Sequence, residues 1–563
     1  MRIGLLTEGG YPYVGGEGLL WCDRLVRGLG QHEFDVYALS RSERQEDEGW
    51  VPLPPQVSRV RTAPLWMPEG DDVVYGRRAR RRFLEHYGAL AAVLCSGGPA
   101  GVPEESSSAE ADRFGNALYG LAELARDEGG LARALRSETA VRALERACRA
   151  PGAQRAAREA RVPELLTVAT YLERALRPLS LDWYEDDGLG AVDLCHAASG
   201  GTAALPGLLA HHFCGVPLLV TEYGVRLRSH YLTRPDASPA VRALLAAYHG
   251  RLAAEIYARA AFLTPGNTHA RRWQERCGAD REKIRTVYPG MDAAPFAEVG
   301  ESPTSAAPDT MVWVGRIEPA KDLVSLLHAF AEIRTAEPGT RLRVIGAPSG
   351  AEGAAYLAHC RALATQLFPD EADGPHAVGE NPVSFEEVGG PDLPSTADAY
   401  ASGAVTVLSS VVEGFPVSLV EAMLCGRATV STDVGAVVEV IGGTGLVVPP
   451  RNPRALAEAC LALLRDPERR ARLGAAARAR ALELFTVERN IAAFHGIYLE
   501  IVARSPVRRV LLDAAGEPLP FGMPAEAHVP GHWADPTPRG GPRRAGDTPV
   551  TATTAVPARE GAR

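Results

Sequence analysis

Seven residues separate two glutamates, Glu413 and Glu421, in the stretch SSVVEGFPVSLVEAMLCG. The apolar run AVTVL before it predicts a β-strand, and Pro416 favours a helix start because its fixed φ suits the first turn. We therefore expect Glu413 in a strand-to-helix loop and Glu421 in the helix. Free N–H groups at a helix N-terminus bind phosphate, and carboxylates accept hydrogen bonds from sugar hydroxyls. The pattern indicates a nucleotide-sugar pocket; the alternative is a packed amphipathic helix with both glutamates at the surface.

Two cations lie near the end of another predicted strand. Only two of the 60 Lys and Arg residues are lysines, Lys283 and Lys321, so a retained lysine suggests a site that needs a compact ammonium. Lys321 and Arg316 follow the strand pattern MVWVG, and Asp322 begins a helical pattern. Such cations can neutralise a diphosphate that leaves as a glycosidic bond breaks, although an ordinary surface pair is the alternative.

The N-terminal half shows a further loop and a histidine. Strand IGLLT, loop EGGYPYVGGEG and helix LLWCDRLVRGLG begin a parallel α/β sheet, and the loop glycines let backbone approach a ligand. His196 follows the run VDLC, where a doubly wound sheet binds ligands. Glu222 and Tyr223 end the next strand at the same rim. Packing glycines and a structural histidine are the alternatives.

Composition bounds the class of protein. A chain of 563 residues predicts two domains with added segments, and the net charge of -9 gives no support for a nucleic-acid partner. Nine cysteines without a CxxC pair favour a reducing compartment over disulfides or structural zinc. No apolar run is long enough for a membrane span. We expect a cytoplasmic protein.

Composition also varies along the chain. Residues 77–161, rich in Ala, Arg, Leu and Glu, predict a helical insertion, whereas Pro and Ser enrich a linker over residues 298–310. The acidic run at 185–187 is interpreted as a solvated turn. The expected divisions are an N-terminal domain at 1–300, a C-terminal domain at 308–480, a helix at 481–504 that packs back on the N-terminal domain, and a disordered tail at 505–563.

Taken together, these motifs resemble the GT4 family of retaining glycosyltransferases. The resemblance rests on GRIEPAK, on the two glutamates around GFPVSLV, and on AMLCGRATVSTDVGAVVEVI. The segments TEGGYPYVGGEGLLWCDRLVRGL and VTEYGVRLRSHYL look like the PelF branch of exopolysaccharide synthesis, with its DUF3492-type N-terminal region. The resemblance implies an α/β, GT-B fold, with two Rossmann-like domains facing across a cleft and a helical insertion in the first.

The resemblance also implies roles for individual residues. Arg316 and Lys321 would bind the diphosphate, Glu413 the donor sugar and Glu421 the ribose diol, and His196 would lie at the donor–acceptor junction. The implied catalytic residues are His196, Arg316, Lys321 and Glu413. The implied donor-binding residues are Gly15, Gly16, Gly18, Arg316, Lys321, Glu413, Gly414, Phe415, Val417, Ser418, Leu419 and Glu421. Tyr223 replaces a histidine usual in that branch, and GGEG replaces a GGV-type turn.

The expected activity is transfer of a hexose from a nucleoside diphosphate sugar, UDP-glucose, to a glycan or small-molecule acceptor, with retention of configuration. The leaving phosphate would help to deprotonate the acceptor. No cofactor or metal is expected, because no D-x-D motif follows a predicted strand, and peripheral association with a membrane synthase complex is open. An inactive nucleotide-sugar-binding regulator or scaffold is one alternative. A sugar-nucleotide epimerase is another, but it should lack this combination of motifs.

Overall fold

The structure, a computed structural model, describes residues 1–16, 18–67, 73–96, 104–184, 188–233, 237–302, 307–368, 370, 380–391 and 393–505, without the side chains of 104–108. The acidic turn expected at 185–187, part of the expected linker and the expected tail beyond 505 lie outside these ranges. The chain forms two compact units. Of the described residues, the first unit comprises those within Met1–Pro265 and Arg271–Thr286 together with 494–505, and the second comprises those within Gly266–Ala270 and Val287–Ala493.

The first unit is built on a six-stranded sheet with the order β3-β2-β1-β4-β5-β6. Its strands are β1 Arg2–Glu8, β2 Glu33–Ser40, β3 Val57–Pro64, β4 Leu194–Ala197, β5 Leu218–Glu222 and β6 Phe262–Pro265. All neighbouring strands are parallel. The order of connection reverses between β1 and β4, which is the switch point where such sheets bind ligands.

The second unit repeats this topology in a sheet with the order β12-β11-β10-β7-β8-β9. Its strands are β7 Thr310–Val314, β8 Arg341–Ile345, β9 Val383–Glu386, β10 Val405–Leu408, β11 Ala428–Thr432 and β12 Leu446–Val448. All its strand pairs are parallel as well. The corresponding switch point lies between β7 and β10.

Helices cover both sheets and fill the connections, as parallel strands require. As far as β6, the helices are α1 Leu19–Gly28, α2 Glu43–Asp47, α3 Arg77–Cys95, α4 Glu104–Glu128, α5 Leu131–Leu135, α6 Glu138–Arg149, α7 Arg155–Arg158, α8 Val162–Leu176, α9 Leu205–Cys214, α10 Arg226–Thr233 and α11 Pro239–Arg259. After β6 they are α12 Thr268–Arg276, α13 Ala297–Glu301, α14 Leu323–Ala336, α15 Gly350–Leu367, α16 Thr396–Ala401, α17 Val417–Leu424, α18 Val437–Ile441, α19 Pro453–Leu464, α20 Pro467–Leu484 and α21 Val487–Arg504. Short 3-10 helices lie at Arg177–Ser180, Leu189–Ala191, Gly201–Ala204, Arg281–Lys283, Ala294–Phe296 and Pro319–Lys321.

The range 77–161, expected to be a helical insertion, holds α3 to α7, and the helical run continues through α8. In α6, Ser137 accepts a hydrogen bond from the backbone N–H of Ala140 as an N-cap, and the apolar residues recur at helical spacing on its buried face. None of the described helices has both the length and the apolar composition that crossing a membrane requires.

The apolar pattern does not predict β3. Its residues are mostly half-buried or exposed, as expected for the edge strand of a sheet, and Arg59 and Arg61 interrupt any apolar run. Within the expected helix at 481–504, α20 ends at Leu484 and α21 begins at Val487. From Phe494 onward, α21 belongs to the first unit.

Candidate active site

An ion pair lies beside the switch point of the second sheet. Lys321 ends the short 3-10 helix after β7, and Glu413 lies in the loop after β10. The Lys321 Nζ is 2.5 Å from the Glu413 Oε1, and the two side chains are only 16% and 10% exposed. The pair therefore lies at the edge where a doubly wound sheet binds ligands.

Hydroxyl groups fix both partners of this pair. The Ser409 Oγ donates to the backbone oxygen of Lys321 at 2.7 Å, and the Ser410 Oγ donates to the Glu413 Oε1 at 2.7 Å. The Thr432 Oγ1, at the end of β11, donates to the backbone oxygen of Ser410 at 2.6 Å. The loops after β7, β10 and β11 are thus tied together, which holds the ion pair in one arrangement.

Gly435 supports the loop that carries Glu413. Its φ is +57°, and a Cβ there would lie 2.5 Å from the backbone oxygen of Glu413. The next residue, Ala436, donates its N–H to the backbone oxygen of Gly414 at 3.1 Å. Only glycine combines this left-handed conformation with so close an approach.

Asp322, directly after Lys321, has a φ of +47°, which non-glycine residues rarely adopt. Its Oδ1 accepts a hydrogen bond from the Ser325 N–H at 3.3 Å and so caps α14. Such conformations cost on the order of 1–3 kcal/mol and cluster at functional sites.

The start of α17 offers backbone donors. Pro416 occupies the N-cap position, one residue earlier than a first-turn proline, and accepts from the Leu419 N–H at 3.1 Å. The N–H groups of Val417 and Ser418 have no partner in the described chain. The helix dipole and these open amides suit an anion.

Glu421 lies in the second turn of α17 and is partly exposed. The Tyr400 hydroxyl donates to its Oε2 at 2.8 Å, while its other oxygen has no partner among the described residues. Burial raises the pKa of Glu421, and the bond from Tyr400 opposes that shift. One oxygen is therefore fixed and the other is open.

Arg316 and Phe415 complete the predicted set in this unit. Arg316 lies in the loop after β7 with its side chain exposed, and no described residue pairs with its guanidinium. The Phe415 ring is half-buried and packs against the Phe485 ring, with centroids 5.7 Å apart. The structure thus joins Lys321 and Glu413 directly, whereas Arg316 and Glu421 make no direct bond to that pair.

The glycine loop of the first unit takes up conformations that need glycine. Gly15, Gly16 and Gly18 have φ values of +98°, +97° and +80°. A Cβ on Gly16 would lie 2.0 Å from the backbone oxygen of Gly9, and Gly18 is the N-cap of α1. All three predicted donor-binding glycines are exposed, so their backbone is accessible.

His196 is an interior residue of β4 rather than the residue after it, and it is fully buried. Its Nδ1 is 2.7 Å from the Tyr498 hydroxyl, and its Nε2 is 2.7 Å from the Thr221 Oγ1. Burial lowers the pKa of His196 to about 3, so the ring is neutral near pH 7. Its catalytic role stays a prediction, and the structure shows both ring nitrogens occupied.

Glu222, expected at the rim, ends β5 with its side chain buried. Its Oε2 accepts from the Tyr257 hydroxyl at 2.5 Å and from the Gln274 Nε2 at 2.9 Å. Burial raises the pKa of Glu222. The Tyr223 ring meets the Trp21 ring edge-on at 5.4 Å.

Ser410, Tyr400 and Gly435 were not among the residues predicted to form the site. Ser410 carries a weak signal, since it follows a strand that ends at the ligand-binding edge. Gly435 carries another, as a glycine after β11. Tyr400 carries none, because its place in a short buried helix predicts only packing.

In the described chain no three His, Cys, Asp or Glu side chains group as metal ligands, and the expected absence of a metal stays a prediction.

Two family models match the chain. The model described as a domain of unknown function, DUF3492, covers residues 1–282, which is half of the chain. The model described as glycosyl transferases group 1 covers residues 308–466, which include Arg316, Lys321, Glu413 and Glu421. The second match therefore contains the ion pair and the start of α17.

Curated relatives match chiefly over part of their length. A D-inositol 3-phosphate glycosyltransferase of Kineococcus radiotolerans is 32% identical over 238 residues, which are 38% of this chain and 52% of that protein. A second D-inositol 3-phosphate glycosyltransferase, from Streptomyces bingchenggensis, is 30% identical over 239 residues, which are 40% of this chain and 49% of that protein. The chain thus spans about half the length of these curated relatives.

Solved structures share the fold at low identity. The sucrose-phosphate synthase of Thermosynechococcus elongatus has a TM-score of 0.52 and 17% identity, with 90% of this chain and 100% of that chain covered. Anabaena HepE in complex with UDP has a TM-score of 0.51 and 14% identity over 89% of this chain and 100% of its own. The predicted α/β, GT-B fold class is confirmed. The chain belongs to the DUF3492 family and combines that N-terminal domain with a group 1 glycosyl transferase domain of the GT4 type.

Proposed function

We propose that the protein is a retaining glycosyltransferase that moves a hexose from a nucleoside diphosphate sugar to a glycan or small-molecule acceptor. The proposal rests on the site beside the β7–β10 switch point. The relatives named as glycosyltransferases support the reaction class, but they match over only about half their length.

The observation that carries the proposal is the set of unsatisfied hydrogen-bonding groups at this edge. Lys321 uses one of its three N–H donors on Glu413, and the other two have no partner in the described chain. Three further kinds of group have no hydrogen-bond partner among the described residues. They are the Arg316 guanidinium, the N–H groups of Val417 and Ser418, and one oxygen of Glu421. Cations and amides suit a diphosphate, and a carboxylate suits a ribose diol.

The chemistry assigns a role to each group. As the glycosidic bond breaks, negative charge grows on the leaving diphosphate, and Lys321 and Arg316 stabilise it. Glu413, held by Lys321 and Ser410, accepts hydrogen bonds from the donor sugar. The acceptor oxygen attacks the anomeric carbon from the face that the diphosphate leaves, and the departing phosphate oxygen takes the acceptor proton. Configuration is therefore retained.

UDP-glucose is the proposed donor, and no cofactor or metal is proposed. The Anabaena protein HepE, which shares the fold, was solved with UDP, so a uracil nucleotide is the first to test. The PelF-like role in exopolysaccharide synthesis and association with a membrane synthase remain part of the proposal.

A donor panel tests the proposal. The full chain is incubated with UDP-, GDP-, ADP- and TDP-hexoses and with simple sugar acceptors, nucleoside diphosphate release is measured, and NMR reads the anomeric configuration. We expect release with one nucleotide class and a product with the donor's configuration. Inverted product would contradict the retaining mechanism. Tight donor binding without release or transfer would favour the inactive regulator instead.

A further inference from the structure

Tyr400 lies outside the sequence motifs yet bonds directly to one of their carboxylates. It is on α16 and fully buried, and its hydroxyl donates to the Glu421 Oε2 at 2.8 Å. Its ring packs near the Phe296 ring, with centroids 6.4 Å apart.

The direction of this hydrogen bond is fixed by the surroundings. Burial and the neighbouring Glu421 raise the pKa of Tyr400 well above its usual value of 10, so the phenol keeps its proton. Burial raises the pKa of Glu421, and the bond from Tyr400 lowers it. Tyr400 is the donor, and it favours the ionised form of the carboxylate.

The bond also decides which oxygen is available. A glutamate side chain on a helix has several rotamers, and ordering it costs conformational entropy. With Oε2 held by Tyr400, the Oε1 has no partner among the described residues. A carboxylate that is already oriented binds a diol without that cost.

We propose that Tyr400 is a positioning residue for the ribose of the donor nucleotide, because it holds Glu421 so that its free oxygen accepts from the 2′,3′-diol. This inference rests on the proposed function, since it deepens the account of the same site. Tyr400 touches no reacting atom and acts only through Glu421. Its effect should therefore depend on the ribose hydroxyls.

The matched variants are Tyr400→Phe and Tyr257→Phe. Each removes the hydroxyl of a buried tyrosine that donates to a glutamate, and each keeps the ring. Tyr257 bonds to Glu222 in the first unit, so its variant controls for the loss of a buried hydrogen bond. Thermal unfolding of both variants establishes that they are folded.

Calorimetry on the full chain with UDP, GDP, ADP and TDP first identifies the nucleotide that binds most tightly. Tightest binding of TDP, which lacks the 2′-hydroxyl and so has no diol, would overturn the inference. Its affinity and that of its 2′,3′-dideoxy analogue are then measured. Because Tyr400→Phe removes a hydrogen bond to a charged group and acts on the nucleotide only indirectly, we expect it to weaken binding of the ribonucleotide about five- to tenfold. We expect unchanged affinity for the dideoxy analogue, and no change in Tyr257→Phe.

Kinetics give a second readout. Tyr400→Phe should raise the KM for the donor sugar nucleotide and leave kcat unchanged, as expected for lost ground-state binding. Equal weakening of both nucleotides, or no weakening at all, would overturn the role of Tyr400 while leaving the proposed function intact. If the wild-type chain binds none of the four diphosphates, both the proposed function and this inference are wrong.

Discussion

Beside the β7–β10 switch point, Lys321, Arg316 and Glu421 keep hydrogen-bonding groups that no described residue satisfies. Beside the switch point of the first sheet, His196 has both ring nitrogens occupied. The two sheets share one strand order. The difference teaches that topology marks where a ligand can bind, whereas open donors and acceptors mark where the protein is prepared to bind it.

Changing the charge of Lys321 should have the largest effect. Lys321→Gln can still donate to Glu413 but cannot neutralise a leaving diphosphate, so we expect sugar transfer to fall about 10³-fold. Lys283→Gln is the matched control, because the Nζ of Lys283 donates to the backbone oxygen of Ala258 and to no other described residue. Transfer within a few fold of wild type in Lys321→Gln would remove this residue from the site.

A variant of His196 tests the switch point of the first sheet, where the hydrogen-bonding groups of the ring are already occupied. Its pKa is about 3 in the folded chain and about 6.5 when unfolded, so between these values the unfolded state binds more protons. Stability contributed by neutral His196 is therefore lost as pH falls through that window. We expect His196→Gln to have a lower free energy of unfolding than wild type at pH 7. The difference in free energy of unfolding between the two chains should be smaller at pH 4 than at pH 7 by on the order of 3 kcal/mol.

Denaturant unfolding at both pH values measures this change. The exposed His359 supplies the control variant, His359→Gln. Its free energy of unfolding is expected to differ from that of wild type by the same amount at both pH values. A His196→Gln chain with unchanged stability and abolished transfer would instead support the catalytic role predicted from the sequence.

Glu421→Ala should weaken donor binding more than it slows chemistry. Loss of an open carboxylate that accepts from a diol predicts about 10- to 30-fold weaker nucleoside diphosphate binding by calorimetry. The control is Glu332→Ala on the exposed face of α14, which should bind normally. Undiminished affinity in Glu421→Ala would exclude it from ribose binding.

A further effect, on stability rather than on binding, concerns the glycine loop of the first unit. Gly16→Ala meets the backbone oxygen of Gly9, whereas Gly15→Ala meets nothing within 4 Å, although both have positive φ. Chemical denaturation should show Gly16→Ala to be less stable than Gly15→Ala by about 1–3 kcal/mol. Equal stabilities would mean that the loop adjusts freely.

Much of the fold can be predicted from the sequence, because buried parallel strands give continuous apolar runs and helices give periodic stripes. The edge strand β3 could not be predicted, because its half-exposed residues form neither a continuous apolar run nor a periodic apolar stripe. The loop positions of Lys321 and Glu413 follow from the strand ends before them.

Contacts between distant residues could not be predicted in the same way. Lys321 and Glu413 are 92 positions apart, and no local pattern says that they pair with each other. The burial of His196 and the bond from Tyr400 to Glu421 likewise depend on packing between elements. The sequence shows which side chains could bind a ligand. Packing between elements determines which of them keep donors or acceptors without a partner in the described chain.

The central claim is that the cations after β7 bind the diphosphate. Calorimetry compares a nucleoside diphosphate with the same nucleoside, in the wild-type chain and in Arg316→Ala/Lys321→Gln. We predict that the wild-type chain binds the diphosphate at least about tenfold more tightly than the nucleoside, and that the double variant loses most of this preference and keeps only what the backbone N–H groups at the start of α17 contribute. Equal binding in the wild type, or an undiminished preference in the double variant, would contradict the account.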